Sequence, residues 1–151
     1  MAPGFTGWKT SWWVPLDANI RTRRVRELLS GVPNALKIMA GNPMIRTVKG
    51  KPYAYVAGWS LEGDGMSALF EFNFDSGLTA IVSGGHRNTD EWLVDAAGKP
   101  LAETIYDPET KKWSLHVANG GGWKVPKIMT AEIERPHIIG LGRDEDRKSV
   151  V

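Results

Sequence analysis

The chain contains no cysteine, so neither a disulfide framework nor a thiolate metal site can be built from it. It has no apolar run near the ~18 residues that a membrane-spanning helix needs. Residues 1–16 (MAPGFTGWKTSWWVPL) lack the basic start and apolar middle of a signal peptide. Charge of one sign is scarce as well. A formal net charge of +2 over 151 residues makes no demand for nucleic acid or an anionic membrane, and the late stretch 143–148 mixes both signs. Neither is expected as a partner. The compartment stays open, because disulfide-free proteins occur in all of them.

Catalytic patterns are missing too. An α/β-type serine hydrolase needs its nucleophile on a G-x-S-x-G elbow, the tight turn that exposes the hydroxyl beside oxyanion donors. The nearest stretch, Gly58-Trp59-Ser60-Leu61-Glu62-Gly63, has the wrong spacing and ends a strand-like run. Ser83-Gly84-Gly85-His86 places a serine near a histidine, but reads as a glycine corner. The three histidines, His86, His116 and His137, are thirty and twenty-one positions apart, a spacing that matches no local metal pattern. Asp90, Glu91, Asp95, Glu103, Asp107 and Glu109 supply carboxylates, most of them beside turns. A glycosidase would need two of them facing across a cleft, which sequence cannot place. Asp90-Glu91 opens a strand and is the pair that could line the centre of a ring of sheets. The runs Gly84-Gly85 and Gly120-Gly121-Gly122 precede strands rather than helices, so they are turns and not phosphate cradles. No catalytic, cofactor-binding or metal residue is assigned, and no cofactor is expected.

What the chain does have is glycine (17), proline (9) and tryptophan (7), the composition of a turn-rich all-β protein. Gly-Lys-Pro occurs at Gly50-Lys51-Pro52 and again at Gly98-Lys99-Pro100, forty-eight positions later. Each copy follows an apolar stretch (Met44, Ile45, Val48; Trp92, Leu93, Val94) and precedes a strand-like run. A turn comes next, at 62–65 and at 107–110. Alternating strands follow, with Phe70, Phe72 and Phe74 in one copy and Trp113, Leu115 and Val117 in the other. Each closes on a glycine turn (Asp75-Ser76-Gly77; 119–122) before a fourth strand. Four antiparallel strands repeated with this period are the unit of a β-propeller blade; a generic antiparallel sandwich is the alternative.

The expected organisation is an N-terminal arm and helix over 1–41, then a partial propeller over 42–151. In the arm, Trp8, Trp12 and Trp13 are expected to pack on the domain, a stacking platform being the rarer use. Asp17 can cap a helix over residues 17–30 with Ile20, Val25, Leu28 and Leu29 on one side and Gly31 as its stop. Its other side holds Arg21, Arg23, Arg24 and Arg26, read as a solvated face in preference to a nucleic-acid surface. Residues 32–41 can add a short helical turn capped by Asn34. The blades are expected at 42–84, 88–129 and, incomplete, 136–151, with a glycine-rich corner at 83–89. The third would have its first strand at 136–141, a turn at 142–146 and a second strand at 147–151. A propeller needs about four blades to close, so the expectation is a piece of a longer protein or one completed by assembly.

The wording of residues 69–84, LFEFNFDSGLTAIVSG, resembles the outer hairpin of a propeller blade in the prolyl oligopeptidase family of serine peptidases. So do the segments 90–98 (DEWLVDAAG), 102–107, Trp113-Ser114-Leu115 and Gly121-Gly122-Trp123. The run Ile139-Gly140-Leu141-Gly142-Arg143-Asp144 is similar as well. The acylaminoacyl-peptidase-like members are the nearest in wording, over about residues 42–151. The resemblance implies a non-catalytic propeller that restricts peptide entry to a separate C-terminal α/β-hydrolase domain, its partner. That domain carries the catalytic Ser, Asp and His, none of which has a counterpart here. The other readings are a stand-alone binding module for protein, peptide or glycan, or a small all-β glycosidase.

Overall fold

The computed structural model describes residues 13–62, 66–141 and 148–150. Among them the chain is all-β, built from antiparallel strands with no helix. A hairpin comes first, β1 (Leu16–Asn19) and β2 (Arg24–Glu27). A four-stranded meander follows: β3 (Ala35–Val48), β4 (Lys51–Ser60), β5 (Ser67–Asn73) and β6 (Thr79–Gly84). A second meander comprises β7 (Thr89–Val94), β8 (Pro100–Asp107), β9 (Lys112–Asn119) and β10 (Gly122–Thr130). A last hairpin pairs β11 (Ile138–Leu141) with β12 (Lys148–Val150). In both meanders the spatial order of strands is the chain order.

The two Gly-Lys-Pro segments stand at the same place in the two meanders but in different turns: a two-residue turn at Lys49 and Gly50, both at positive φ, and a longer one over residues 95–99 closed by the Gly98 amide donating to Asp95 O. Gly50 and Gly98 stand between first and second strands at φ +76° and +81°, a left-handed conformation that favours glycine because it has no Cβ to clash. The prolines follow at the second position of β4 and the first of β8, strand ends where a missing N–H is best tolerated.

Two regions differ from the sequence expectation. Residues 17–30 form the β1–β2 hairpin and not a capped helix. Asn19 turns the chain, its Oδ1 accepting the amides of Arg21 and Thr22, and Arg23 adopts φ +56°. An Asn side chain that satisfies the two amides after it offers the backbone an alternative to helix. Asp17 caps nothing; it pairs across the hairpin with Arg26, whose Nε lies 3.0 Å from Asp17 Oδ2. Of the four apolar residues placed on one side of that helix, Ile20 and Val25 are exposed, and only Leu28 and Leu29 reach the core. Residues 32–41 likewise hold no helical turn. Asn34 sits at φ +57°, and from Ala35 the chain runs on as β3, accommodating its surplus residues in register shifts before Met39 and before Met44. Trp8 and Trp12 lie outside the described residues. Trp13 is exposed, held by its carbonyl, which accepts the Met39 amide at 2.8 Å.

The layers stack face to face. Alternation along β4 and β5 sends Ala54, Val56, Phe70 and Phe72 toward Leu28 and Leu29 beside the first hairpin. Tyr55 and Leu69 project from the opposite face and pack on Trp92 and Val94 of the second meander. Beyond it, Leu93, Ala102, Trp113 and Leu115 are covered by Ala131 and by Ile138 and Leu141 of the last hairpin. The first meander is therefore apolar on both faces, as a middle layer must be, because each buried apolar face has to find a partner layer. Fully burying one such side chain is worth about 1.5–3 kcal/mol.

Candidate ligand-binding cavity

The first strands of the two meanders, β3 and β7, and β11 of the last hairpin line one cavity of 410 Å³. Residues 40–44 form one wall, where Gly41 at φ +68° lets β3 take a bulge. Asp90 and Glu91 open β7 into the cavity, and Ile138, Ile139 and Gly140 form the far wall. Arg46 also lines it, but its guanidinium is committed to backbone: Nη2 donates to Val94 O at 2.9 Å and Nε to Asp95 O at 3.2 Å. That arginine ties the edge of the first meander to the end of β7.

The two carboxylates have different duties. Glu91 receives the last hairpin, one oxygen 2.9 Å from His137 Nδ1 and the other accepting the Ile138 amide at 3.1 Å. Asp90 pairs with Arg135 at 3.0 Å, and that guanidinium in turn lies over the Tyr106 ring, 4.5 Å from its centroid. Burial raises the Asp90 carboxyl above the ordinary carboxylate range, and the neighbouring Glu91 charge adds to it; Arg135 and His137 pull the other way. The cavity mouth thus carries two acids held by two bases from the segment leading into β11.

A second polar cluster lies between the two meanders. Glu103, in the middle of β8, is wholly buried. One oxygen accepts the Thr89 hydroxyl at 3.2 Å; the other is 2.7 Å from His86 Nδ1, within ionic reach but off the hydrogen-bond directions. Burial raises its pKa, an effect that His86 and then Thr89 oppose. The His86 and His116 rings are 5.6 Å apart, and His116 Nε2 is 3.0 Å from Ser114 Oγ. Burial, with the His86 charge second, lowers the His116 pKa. Trp92 closes the cluster, its indole N–H donating to Ser67 Oγ at 3.4 Å.

The remaining residues singled out in the sequence separate clearly. Asp95 caps the Gly98 turn, its Oδ1 accepting the amides of Ala97 and Lys99. Asp107 does the same for Glu109 and bonds the Thr110 hydroxyl, so hydrogen bonding holds its carboxyl below the usual range. Ser60 Oγ accepts the Glu62 amide and Ser83 donates to Gly84 O; neither meets a histidine. The serine that does is Ser114, which sequence reasoning passed over. Its signal was the spacing: Ser114 and His116 share one face of a strand whose other face is Trp113, Leu115 and Val117. His86 and His116 come together, His137 stands apart on Glu91, and no group of three metal-ligating side chains forms among the described residues. Comparison with family models, with curated proteins and with solved structures finds no match.

Proposed function

We propose that the chain is a non-catalytic segment of a β-propeller whose axial cavity admits peptides, the gating role that the propeller plays in the prolyl oligopeptidase family. The observation that carries this reading is the shared cavity: the first strands of the two meanders and β11 of the last hairpin line it, as the innermost strands of successive blades line a central channel. The two meanders repeat one strand order with a Gly-Lys-Pro segment between first and second strands in each, and the terminal hairpins extend the same stack. A rigid ring excludes folded proteins by size and passes short or extended peptides to a separate α/β-hydrolase domain, where water can be kept from the reacting groups. Among the described residues Asp90 is held by the Arg135 side chain alone, a partner that the free amino terminus or basic side chain of a peptide can replace.

Fluorescence polarisation with labelled short peptides tests the reading. The protein should bind a basic peptide, bind it several-fold more weakly after Asp90→Asn, and take no covalent label from a fluorophosphonate. Labelling of Ser114, which sits beside His116, would overturn the non-catalytic role; failure to bind any peptide would overturn the gating role.

A further inference from the structure

The two hairpins at the ends of the stack are different halves of the same four-stranded unit. After β6 the Gly85 amide donates to Ser67 O at the start of β5; after β10 the Ala131 amide donates to Lys111 O just before β9. The same bond recurs after β2, from the Leu28 amide to Pro15 O just before β1. The turns agree as well. Asn19 at the end of β1 and Asn73 at the end of β5 each accept two following amides through Oδ1. β1 and β2 therefore stand where third and fourth strands stand. β11, in contrast, lines the cavity beside β3 and β7, so β11 and β12 stand where first and second strands stand.

Each half leaves apolar surface on the side where the other would bring cover. Arg26 lies over Phe72 of the first meander, so the face of the first hairpin carrying Asp17 and Arg26 looks inward. The cross-strand register then turns Leu16 and Val25 outward, 57% and 63% exposed. In the last hairpin Ile138 and Leu141 pack inward on the second meander while Ile139 is 67% exposed. Its counterpart in β7, Leu93, is buried by the unit that follows. Among the described residues, β1 and β12 each also have one unpaired backbone edge, and an unpaired edge is a template for another strand.

We infer that β12 of one copy pairs with β1 of a second copy, and reciprocally, closing two chains into one ring. Among the described residues each copy holds two whole units and two halves, so two copies give six, within the ~4–8 blades that propellers use; three copies would give nine. Head-to-tail contacts of this kind close a ring when the rotation fits. The composite unit lays Leu16 and Val25 of one copy over the second meander of the other, where Met129 is still partly exposed. The axial cavity, open past Ile139 in one copy, is completed by the partner's β3. This inference rests on the ring reading above, and is independent of which hydrolase the ring serves.

Sedimentation equilibrium of the full chain gives the test. The expected mass is twice the 16.6 kDa chain, and Leu16→Arg together with Val25→Arg, both outward-facing, should give a folded one-copy species with an unchanged far-ultraviolet spectrum. A one-copy or three-copy wild type overturns the inference, as does a double variant that stays at two copies. Peptide binding on the same samples separates the two readings. A one-copy wild type that still binds peptide through Asp90 ends the ring of two and leaves the gating role standing.

Discussion

The phenolic oxygen of Tyr55 occupies the space into which a side chain at Gly98 would project. Tyr55 stands on the middle layer, donating to Glu71 Oε2 at 2.7 Å, and burial and then that carboxylate hold its own proton firmly. Gly98 is the second Gly-Lys-Pro glycine. The contact therefore welds the turn of one unit to the face of the preceding one.

The two equivalent glycines should respond differently to substitution. Gly50 has the same left-handed backbone but open space where a Cβ would sit, so Gly50→Ala should cost only the conformational penalty of about 1–2 kcal/mol. Gly98→Ala adds the collision with Tyr55 and should cost at least about 1 kcal/mol more. Tyr55→Phe, which removes the colliding oxygen, should recover part of that excess. Urea denaturation of the single and double variants checks all three.

Glu91 is the hinge pin of the last hairpin. Glu91→Ala leaves the part-buried Ile138 amide and the exposed His137 without their acceptor, a loss of about 1 kcal/mol. Because those bonds belong to one segment, the loss should be local: amide exchange at Ile138 should accelerate sharply while that in β4 and β5 stays slow. Uniform acceleration throughout would show that the hairpin has no separate opening.

The buried carboxyl of Glu103 gives stability a sign with pH. Its folded-state pKa is raised above the unfolded value, so the folded state holds the proton more tightly, and stability falls as pH rises through the weakly acid range. Glu103→Gln keeps the shape and removes the titration. Calorimetric Tm values should show the variant gaining on the wild type from pH 4 to pH 7. A constant difference would mean that His86 fully compensates the buried charge.

His116 works the opposite way. Its pKa is lowered on folding, so the folded state releases the proton, and its contribution is present above the imidazole range and lost as pH falls. His116→Gln should flatten the rise in Tm between pH 5 and pH 7. An unchanged slope would show that the ring protonates freely in the folded chain.

The turns were legible in the sequence because their glycines answer a local demand, φ above zero, that no tertiary contact has to supply. Gly50, Gly77, Gly98 and Gly120 all meet it. The alternating phenylalanines of β5 were legible for a similar reason, since period two is a property of the strand itself. Residues 17–30 were misread because Asp17, Ile20, Val25, Leu28 and Leu29 fit a capped amphipathic helix, a weak prior that the fold overrides. The contrary signal was Asn19, an Asx-turn residue placed where a helix would be in its first turn. Glu103 could be named among the carboxylates but its burial could not be read, because that depends on the register of β8 against β9 and on a corner that brings His86 to it. The cavity is a property of the stack. Asp90 and Glu91 could be placed at a strand start from sequence, while Arg135 and His137 as their partners could not.

Strand β10 is exposed along its whole length and carries Trp123, Val125, Ile128 and Met129, yet its outer edge is poorly suited to seeding fibrils. Pro126 offers no amide proton, and the register slips between Lys124 and Lys127, kinking the edge between two like charges. A flat, amide-bearing border with those side chains would recruit further chains without limit. The proline and the paired lysines act as gatekeepers, so concentrated preparations should stay clear unless that kink is straightened.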